Sequence, residues 1–421
     1  MLRYDEAAIN MEQWLTSKRL RTHGLLLLVT LWSFYFWTLA TPNLRDRDGN
    51  LKGTDFLHLY TLGALASEHR GGDLYDIDAQ AAVAVQRVPE AAGIRYLPLY
   101  PPQVSIFFVP LAHLPYRWAL TVWWFCTTVT YGLCCYAIWR ACGRLLNFGW
   151  TVALIAAAYP AFFHLIAWGQ TSAIALACFT LLFFSLRNRR YFSAGLVLGC
   201  LIFKPQLGLA AVILFVALGR WKLLAGAFLS ASAQVSAGIL YYGIKPFGSW
   251  LRMLLSVRST LPAFEPRPYQ THSLRTFWSM IVPWDSLSFA LYVLSAAIVL
   301  GWTITLWKRR AILPLRFSSL LLTTVLVSPH LTVYDLVILA PAFLLLADWL
   351  ISQPSAGFGL GTLLYLVYFL PLVGPFTRWI HVQLSVVAMT AVVYLIWRLC
   401  VRNVPGNVVP AGVASAGAQA N

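Results

Sequence analysis

The sequence predicts an all-α polytopic membrane protein, a bundle of about twelve transmembrane helices with a long first extracytoplasmic loop that carries interfacial helices. Three observations carry this reading. The 421 residues are 59% hydrophobic and only 11% charged, which is more apolar surface than a water-soluble fold hides. The apolar residues come in runs such as 24–40, 118–139, 223–242 and 331–350, each near the roughly 20 helical residues that cross about 30 Å of hydrocarbon. The basic residues fall in small clusters between those runs. A segment in lipid has to satisfy its own backbone hydrogen bonds, so the runs are helices.

In chain order, spans are expected at 22–40, 118–139, 149–166, 171–186, 191–204, 206–219, 223–242, 286–306, 312–328, 331–350, 359–373 and 380–398. The first is read as a retained helix rather than a cleaved leader, because its leader is long and polar and many spans follow. Alternating the loops puts Lys18/Arg19/Arg21, Arg140/Arg144, Arg187/Arg189/Arg190, Arg220/Lys222, Lys308/Arg309/Arg310 and Arg398/Arg402 on one side, the cytoplasmic one by the positive-inside rule. That alternation requires Pro101–Leu114 not to cross, and a short apolar stretch bounded by prolines suits a re-entrant or interfacial segment. Trp residues near span ends (Trp37, Trp118, Trp221, Trp307, Trp379) fit the headgroup layer as anchors.

The organisation that follows is a cytoplasmic N-terminal segment at 1–21, one integral membrane domain at 22–402, and a disordered tail at 403–421 rich in Gly, Ala, Val and Pro. Two long extracytoplasmic loops result, at about 41–117 and 243–285, joined by short outer turns at 164–170, 204–206 and 328–330. Function is expected on that face, in a cell inner (plasma) membrane. The net charge of +16 follows from the positive-inside clusters, so no nucleic-acid partner is expected. The seven Cys lie in apolar runs or a short basic loop, and no disulfide framework is implied.

Seven of the eight His (58, 69, 113, 164, 272, 330 and 381) map to the outer half. A half-polar ring suits a membrane interface, so each one is either an anchor or part of a site. In the first loop, Thr54 can cap a helix beginning at Asp55 and the Gly71-Gly72 pair can end it. Phe56, Leu59, Tyr60 and Gly63 share one face, as in a helix lying along the membrane surface. Asp55 and His58, three apart, point the same way. Asp55 either favours the helix start through the dipole or serves as a general base for a sugar hydroxyl.

Ser328-Pro329-His330 sits at the outer end of a span with a fixed turn, and Asp335 follows inside an apolar stretch. A carboxylate there has to pair, with an Arg or Lys of a neighbouring span, or else act directly. Lys204-Pro205-Gln206 interrupts a long apolar stretch, so Lys204 either snorkels to headgroups or meets a phosphate. His272 and Arg275, with Lys245, Arg252, Arg258 and Arg267 in the same loop, add positive charge on the outer face, where an anionic ligand is a reason for it. There is no Gly-rich phosphate loop, zinc spacing or Ser–His–Asp order, and no metal or other cofactor is expected.

Asp55-Phe56 in the first outer loop, Gly72-Asp73-Leu74-Tyr75-Asp76, Tyr100-Pro101-Pro102, Gly169-Gln170, Lys204-Pro205-Gln206 and Ser328-Pro329-His330, in that order, resemble glycosyltransferase family 87. The resemblance covers about residues 20–400. It implies a membrane enzyme of the GT-C fold, similar to polyprenyl-phosphate-mannose-dependent α-mannosyltransferases. Asp55 matches the family's catalytic base and His330 its late outer histidine near donor phosphate and acceptor. Lys204, His272, Arg275, Tyr100, Gln170 and His58 are the accompanying candidates for the donor phosphate and substrate. The implied donor is a polyprenyl-phosphate sugar, mannose first. The implied acceptor is a lipid or glycan, with inversion at the anomeric carbon. Asp73, Asp76 and Asp78 are rival acids in the same loop.

The alternative is a lipid-linked-sugar transporter or flippase. Transporters place polar groups near the bilayer midplane within inverted repeats, whereas here they gather at one face. The orientation has a direct check. In a Cys-free background, a cysteine at Gly53 or Arg267 should react with a membrane-impermeant thiol reagent in intact cells, and one at Asn188 should not. Labelling at 188 alone reverses the orientation, and labelling at 53 but not 267 means that Pro101–Leu114 crosses.

Overall fold

The computed structural model describes residues 16–264, 268–353 and 359–402. Residues 1–15, Arg267 and the tail 403–421 lie outside the described residues. Among the described residues the chain is helical, and its β pairing is confined to the isolated bridges Arg45–Leu51 and Thr271–Thr332.

A long helix α1 (Ser17–Leu39) leads into the segment that holds α2 (Thr54–Ser67), a 3-10 turn at Gly71–Tyr75, α3 (Ile77–Arg87) and the short helices α4 (Gln103–Phe107) and α5 (Val109–Ala112). Then come α6 (Tyr116–Ala141), α7 (Gly149–Ala157), α8 (Pro160–Trp168), α9 (Ser172–Arg187), α10 (Tyr191–Gly199), α11 (Pro205–Ala217) and α12 (Trp221–Tyr242). The second long segment is largely helical, with α13 (Lys245–Phe264) and α14 (Leu274–Ile281). The remaining helices are α15 (Asp285–Lys308), α16 (Leu313–Val327), α17 (Ala340–Ser352), α18 (Leu360–Phe369), α19 (Thr377–Ile380) and α20 (Leu384–Arg402), with 3-10 turns at Val333–Leu339 and Leu370–Phe376.

Among the described residues, six helical stretches are long and apolar enough to cross a membrane: Ser17–Leu39, Trp221–Tyr242, Asp285–Lys308, Val333–Ser352, Leu360–Ile380 and Leu384–Val401. The pair Leu145–Ala157 and Pro160–Trp168 passes the same test when taken together, as a broken span or a re-entrant loop bent by 45° at Pro160. Four shorter apolar helices, Ser172–Arg187, Tyr191–Phe203, Pro205–Ala217 and Leu313–Val327, pack among them. The chain is a multi-pass membrane protein.

The first long segment differs from the sequence expectation. Helix α2 does not lie on a surface with one face exposed, because every residue from Phe56 to Ala66 is buried. The physical reason is that Leu57, Leu62 and Leu65 make the opposite face as apolar as the one bearing Phe56, Leu59 and Tyr60, and a helix apolar all round is buried. Helices α3, α4, α5, α6 and α8 enclose it. At Gly63 a Cβ would stand 2.5 Å from the Phe108 carbonyl oxygen, so only glycine lets α2 approach that turn. Thr54 is not the cap either. Gly53 holds the N-cap with φ 65°, while the Thr54 hydroxyl donates to the Leu51 carbonyl at 2.6 Å. Between 101 and 114 the chain forms only α4 and α5, of five and four residues, too short to cross.

Gly53 also proves a poor place for a probe. A Cβ there would stand 2.4 Å from Leu120 Cδ1 on a left-handed backbone, so Asn50, exposed three residues earlier, takes the cysteine label instead.

Helices α10 and α12 meet backbone to backbone. A Cβ on Gly195 would lie 1.9 Å from the Leu223 carbonyl oxygen, and one on Gly226 would lie 2.3 Å from that of Phe192. Small residues allow this contact between helices in a membrane. Backbone cannot step aside as a side-chain tip does, so Gly195→Ala should lower stability by about 1–3 kcal/mol. Gly301→Ala, with nothing within 4 Å of its Cβ, should be neutral or slightly stabilising. Thermal melts of the two purified variants check this, and equal melting temperatures would refute the close-packed seam.

Candidate active site

Three interruptions between helices, at Gly169–Thr171, Lys204 and Ser328–Thr332, meet at one end of the bundle beside the start of α2. Helix α8 ends at Gly169 with φ 73°. The Trp123 indole N–H donates to the Gly169 carbonyl at 2.9 Å, and a Cβ on Gly169 would come within 2.7 Å of Phe56 Cβ. The glycine therefore brings this turn against α2, and the next residue reaches the acid, the Gln170 side-chain N–H donating to Asp55 Oδ2. Tyr100 orients that amide by donating to Gln170 Oε1 at 3.1 Å, with Thr171 Oγ1 also at 3.1 Å. The start of α2 is held in turn by the Tyr116 hydroxyl on the carbonyls of Lys52 and Gly53, at 2.8 and 3.0 Å, and by that of Tyr96 on Thr54.

One turn beyond Asp55, the buried His58 ring stacks flat on Tyr96, with centroids 4.9 Å apart, and lies 5.9 Å from the ring of Tyr100. Its Nε2 is buried with no hydrogen-bond partner among the described residues. An orphaned buried nitrogen beside an acid calls for an explanation.

The second half of the site is an ion pair. Lys204 Nζ lies 2.8 Å from Asp335 Oδ1, with side-chain exposures of 7% and 6%. Asp335 is therefore paired with a lysine of a neighbouring helix break, as a carboxylate in an apolar stretch requires. Ser172 Oγ joins both, donating to Asp335 at 2.5 Å and accepting from Lys204 at 3.2 Å. The Thr332 N–H and hydroxyl each donate to Asp335 Oδ2 at 3.3 Å, completing a capping box on the turn 333–339. The Lys204 ammonium also lies 5.2 Å from the centre of the Tyr334 ring.

Burial raises the Asp55 carboxyl to about 6, opposed by the Gln170 hydrogen bond and the charge of Lys204 and reinforced by that of Asp335. A base near 6 is ionised at neutral pH yet holds a proton better than an ordinary carboxylate. Because the folded state binds this proton more tightly than the unfolded chain, the group's contribution to stability is present at low pH and is lost as pH rises through about 6. Burial also lowers His58 to about 4 and His272 to about 3, so both rings are neutral. His330 is lowered as well, first by burial, although Asp335 pulls it upward.

His330 belongs with the pair through that electrostatic contact, on a turn closed by the Ser328 hydroxyl donating to the His330 carbonyl at 2.9 Å. His272 stands next to it, its backbone N–H donating to the Leu331 carbonyl at 3.0 Å. Its ring Nδ1 is 2.7 Å from Ser385 Oγ, while Nε2 is buried without a partner among the described residues. Arg275 has its guanidinium over the Phe289 ring at 5.4 Å.

The rival acids have other work. Asp73 binds Arg70 at 2.8 Å, Asp76 caps α3 through the N–H groups of Asp78 and Ala79, and Asp78 pairs with Arg95 at 2.9 Å on the surface. Sequence reasoning passed over Tyr96 and Ser172. Neither carries a signal in the chain, an aromatic ring and a helix-start serine being common.

A family model for glycosyltransferase family 87 matches residues 99–329, more than half of the chain. The matched stretch holds Tyr100, Gln170, Lys204, His272 and Arg275, while Asp55, His58 and His330 lie outside it. No curated protein and no solved structure matches the chain.

The ion pair can be tested apart from any activity. Lys204→Met leaves Asp335 buried and unpaired, and Asp335→Leu does the same to Lys204. Each should cost about 3–5 kcal/mol, and the double variant should recover most of that loss. A double-mutant cycle by denaturation in detergent reads the coupling, and single losses below about 1 kcal/mol would show that the pair is not a structural clamp.

Proposed function

The chain belongs to glycosyltransferase family 87, and we propose that it moves a sugar, mannose first, from a polyprenyl-phosphate donor to a lipid or glycan acceptor with inversion. The observation that carries this reading is a single acid, Asp55, fixed by Gln170 and Tyr100 beside a buried cation, Lys204, on interruptions that converge at one end of an apolar bundle. Such a transfer needs a base for the acceptor hydroxyl and positive charge near the leaving phosphate.

In the proposed step the acceptor oxygen gives its proton to Asp55 and bonds to the anomeric carbon. The bond from that carbon to the phosphate oxygen breaks, and the polyprenyl phosphate departs with the electron pair. Lys204 has its charge partly answered by Asp335 and keeps N–H capacity for a phosphate oxygen, with His330 and His272 beside it as further donors. Gln170 holds Asp55 in place, and His58 Nε2 offers a hydrogen bond to a sugar hydroxyl. Arg275 acts at longer range as outer positive charge. No metal is needed for a monophosphate donor held in this way.

The proposed orientation counts twelve crossings by adding α6 and the four shorter apolar helices to the six stretches and the bent pair above. It puts the basic clusters in the cytoplasm and the Asp55 end outside an inner (plasma) membrane. Polar groups gathered at one end also favour a transferase over a transporter, whose binding groups sit at mid-membrane.

Asp55→Asn keeps size and hydrogen bonding but cannot take a proton. It should lower transfer from a radiolabelled polyprenyl-phosphate sugar to membrane lipid by about 10²–10⁴-fold while donor binding persists. In the unmodified protein the rate should fall as pH drops through about 6, reaching about a tenth near pH 5 as the base becomes protonated. Near-normal turnover in Asp55→Asn would remove Asp55 as the base.

A further inference from the structure

At the end of the bundle remote from Asp55, helices α1, α6, α7, α17 and α18 enclose a cavity of about 540 Å³, within the range of roughly 300–1,000 Å³ usual for small-molecule sites. Its wall is aliphatic and aromatic, with Leu20, Ile155, Leu344 and Leu350 among the lining residues. Along α17 it runs from Ala340 to Ile351, about 16 Å at 1.5 Å per residue. That is about half of a hydrocarbon core of roughly 30 Å, the depth of one leaflet.

Tyr159 closes the deep end. It is buried, stacks on Tyr368 at 5.2 Å between centroids, and donates to the Leu336 carbonyl at 2.8 Å, one residue from Asp335. Tyr159 thus stands between the cavity and the backbone next to Asp335.

The other end is polar and basic. Ser17 lines it, and its Oγ is buried with no hydrogen-bond partner among the described residues. Thr151 lines it too and accepts from Arg21 Nε at 2.8 Å, which sets a guanidinium on the rim. Lys18 and Arg144 are exposed beside lining residues Ser17 and Leu145. Asp348 brings one negative charge to the same rim, its carboxylate accepting from the backbone N–H groups of Gly143, Arg144 and Leu145 at 3.3, 2.7 and 2.9 Å, against the three basic side chains of Lys18, Arg21 and Arg144. The positive-inside bias accounts for basic residues at this end. It does not account for an orphaned hydroxyl and a fixed guanidinium at the mouth of an apolar slot one leaflet deep.

We propose that this slot binds an anionic diacyl phospholipid of the leaflet opposite the active site, with acyl chain in the cavity and phosphate against Arg21 and Ser17. A polyprenyl-phosphate donor is a poorer occupant. Its phosphate has to reach Lys204 at the far end, and Tyr159 stands in between.

The test uses the full-length protein in a mild nonionic detergent, washed free of lipid and titrated with dioleoyl phosphatidylglycerol or dioleoyl phosphatidylcholine, with bound lipid read by native mass spectrometry. One phosphatidylglycerol per chain should bind at least about 10-fold tighter than phosphatidylcholine, and Arg21→Gln, on the exposed rim, should abolish that preference. Ala347→Phe, which narrows the slot, should remove binding of both lipids, with its melting temperature recorded as the check on folding. Equal affinity for the two lipids, a preference that survives Arg21→Gln, or displacement of bound phosphatidylglycerol by polyprenyl phosphate would each overturn the proposal. Because binding is read by mass, failure here is distinct from failure of the proposed transfer reaction.

Discussion

A buried ion pair between chain-distant residues holds the functional end of this protein together. Lys204 and Asp335 are separated by 131 positions, and each stands where a helical stretch is interrupted. Neither charge is tolerable alone in an apolar interior, since desolvation costs several kcal/mol per ion after relaxation. Their mutual need fixes how α11 and the turn 333–339 approach one another. Ser172, bonded to both, brings in the start of α9, and the interruption at Gly169–Thr171 comes with it. The convergence of three breaks is a consequence of charge that has to be neutralised.

Around that clamp the geometry proposed for catalysis is assembled from rigid parts. Asp55 rides on a helix buried on all sides, and the residues that aim it, Gln170 and Tyr100, come from a glycine-terminated turn and from the chain just before α4. An acid held by packing rather than by a surface loop keeps its position without a ligand, which would lower the reorganisation needed in the proposed transfer. The same enclosure raises the carboxyl toward 6.

The helical membrane class was legible because long apolar runs admit little else, and the need of Asp335 for a cation was legible because lipid makes the isolated charge costly. Which cation answered was not. Lys204 and Asp335 are joined only by the fold, as are Gln170 and Asp55 across 115 positions. The surface-helix reading of α2 failed because periodicity picks out one apolar face and says nothing of a second when Leu57, Leu62 and Leu65 fill it. Gly53 could not be told from a linker glycine by its neighbours, and its left-handed φ is what starts the helix. Asp73, Asp76 and Asp78 looked equivalent to Asp55 as letters. They differ in lying at the surface, where Arg70, the start of α3 and Arg95 take up their charges.

The interruptions also leave short helices between them. Pro205–Ala217 has thirteen residues, about 20 Å of rise against a hydrocarbon core of roughly 30 Å, and its outward face of Leu209, Val212, Ile213 and Val216 is exposed. In the proposed orientation this is hydrophobic mismatch on the flank of the site, and lipid answers mismatch by thinning. A bilayer pinched beside α11 would lower the headgroup plane toward Lys204. The lipid-linked phosphate of the proposed donor would then meet the ammonium at the level where it already floats, without being hauled out of its leaflet.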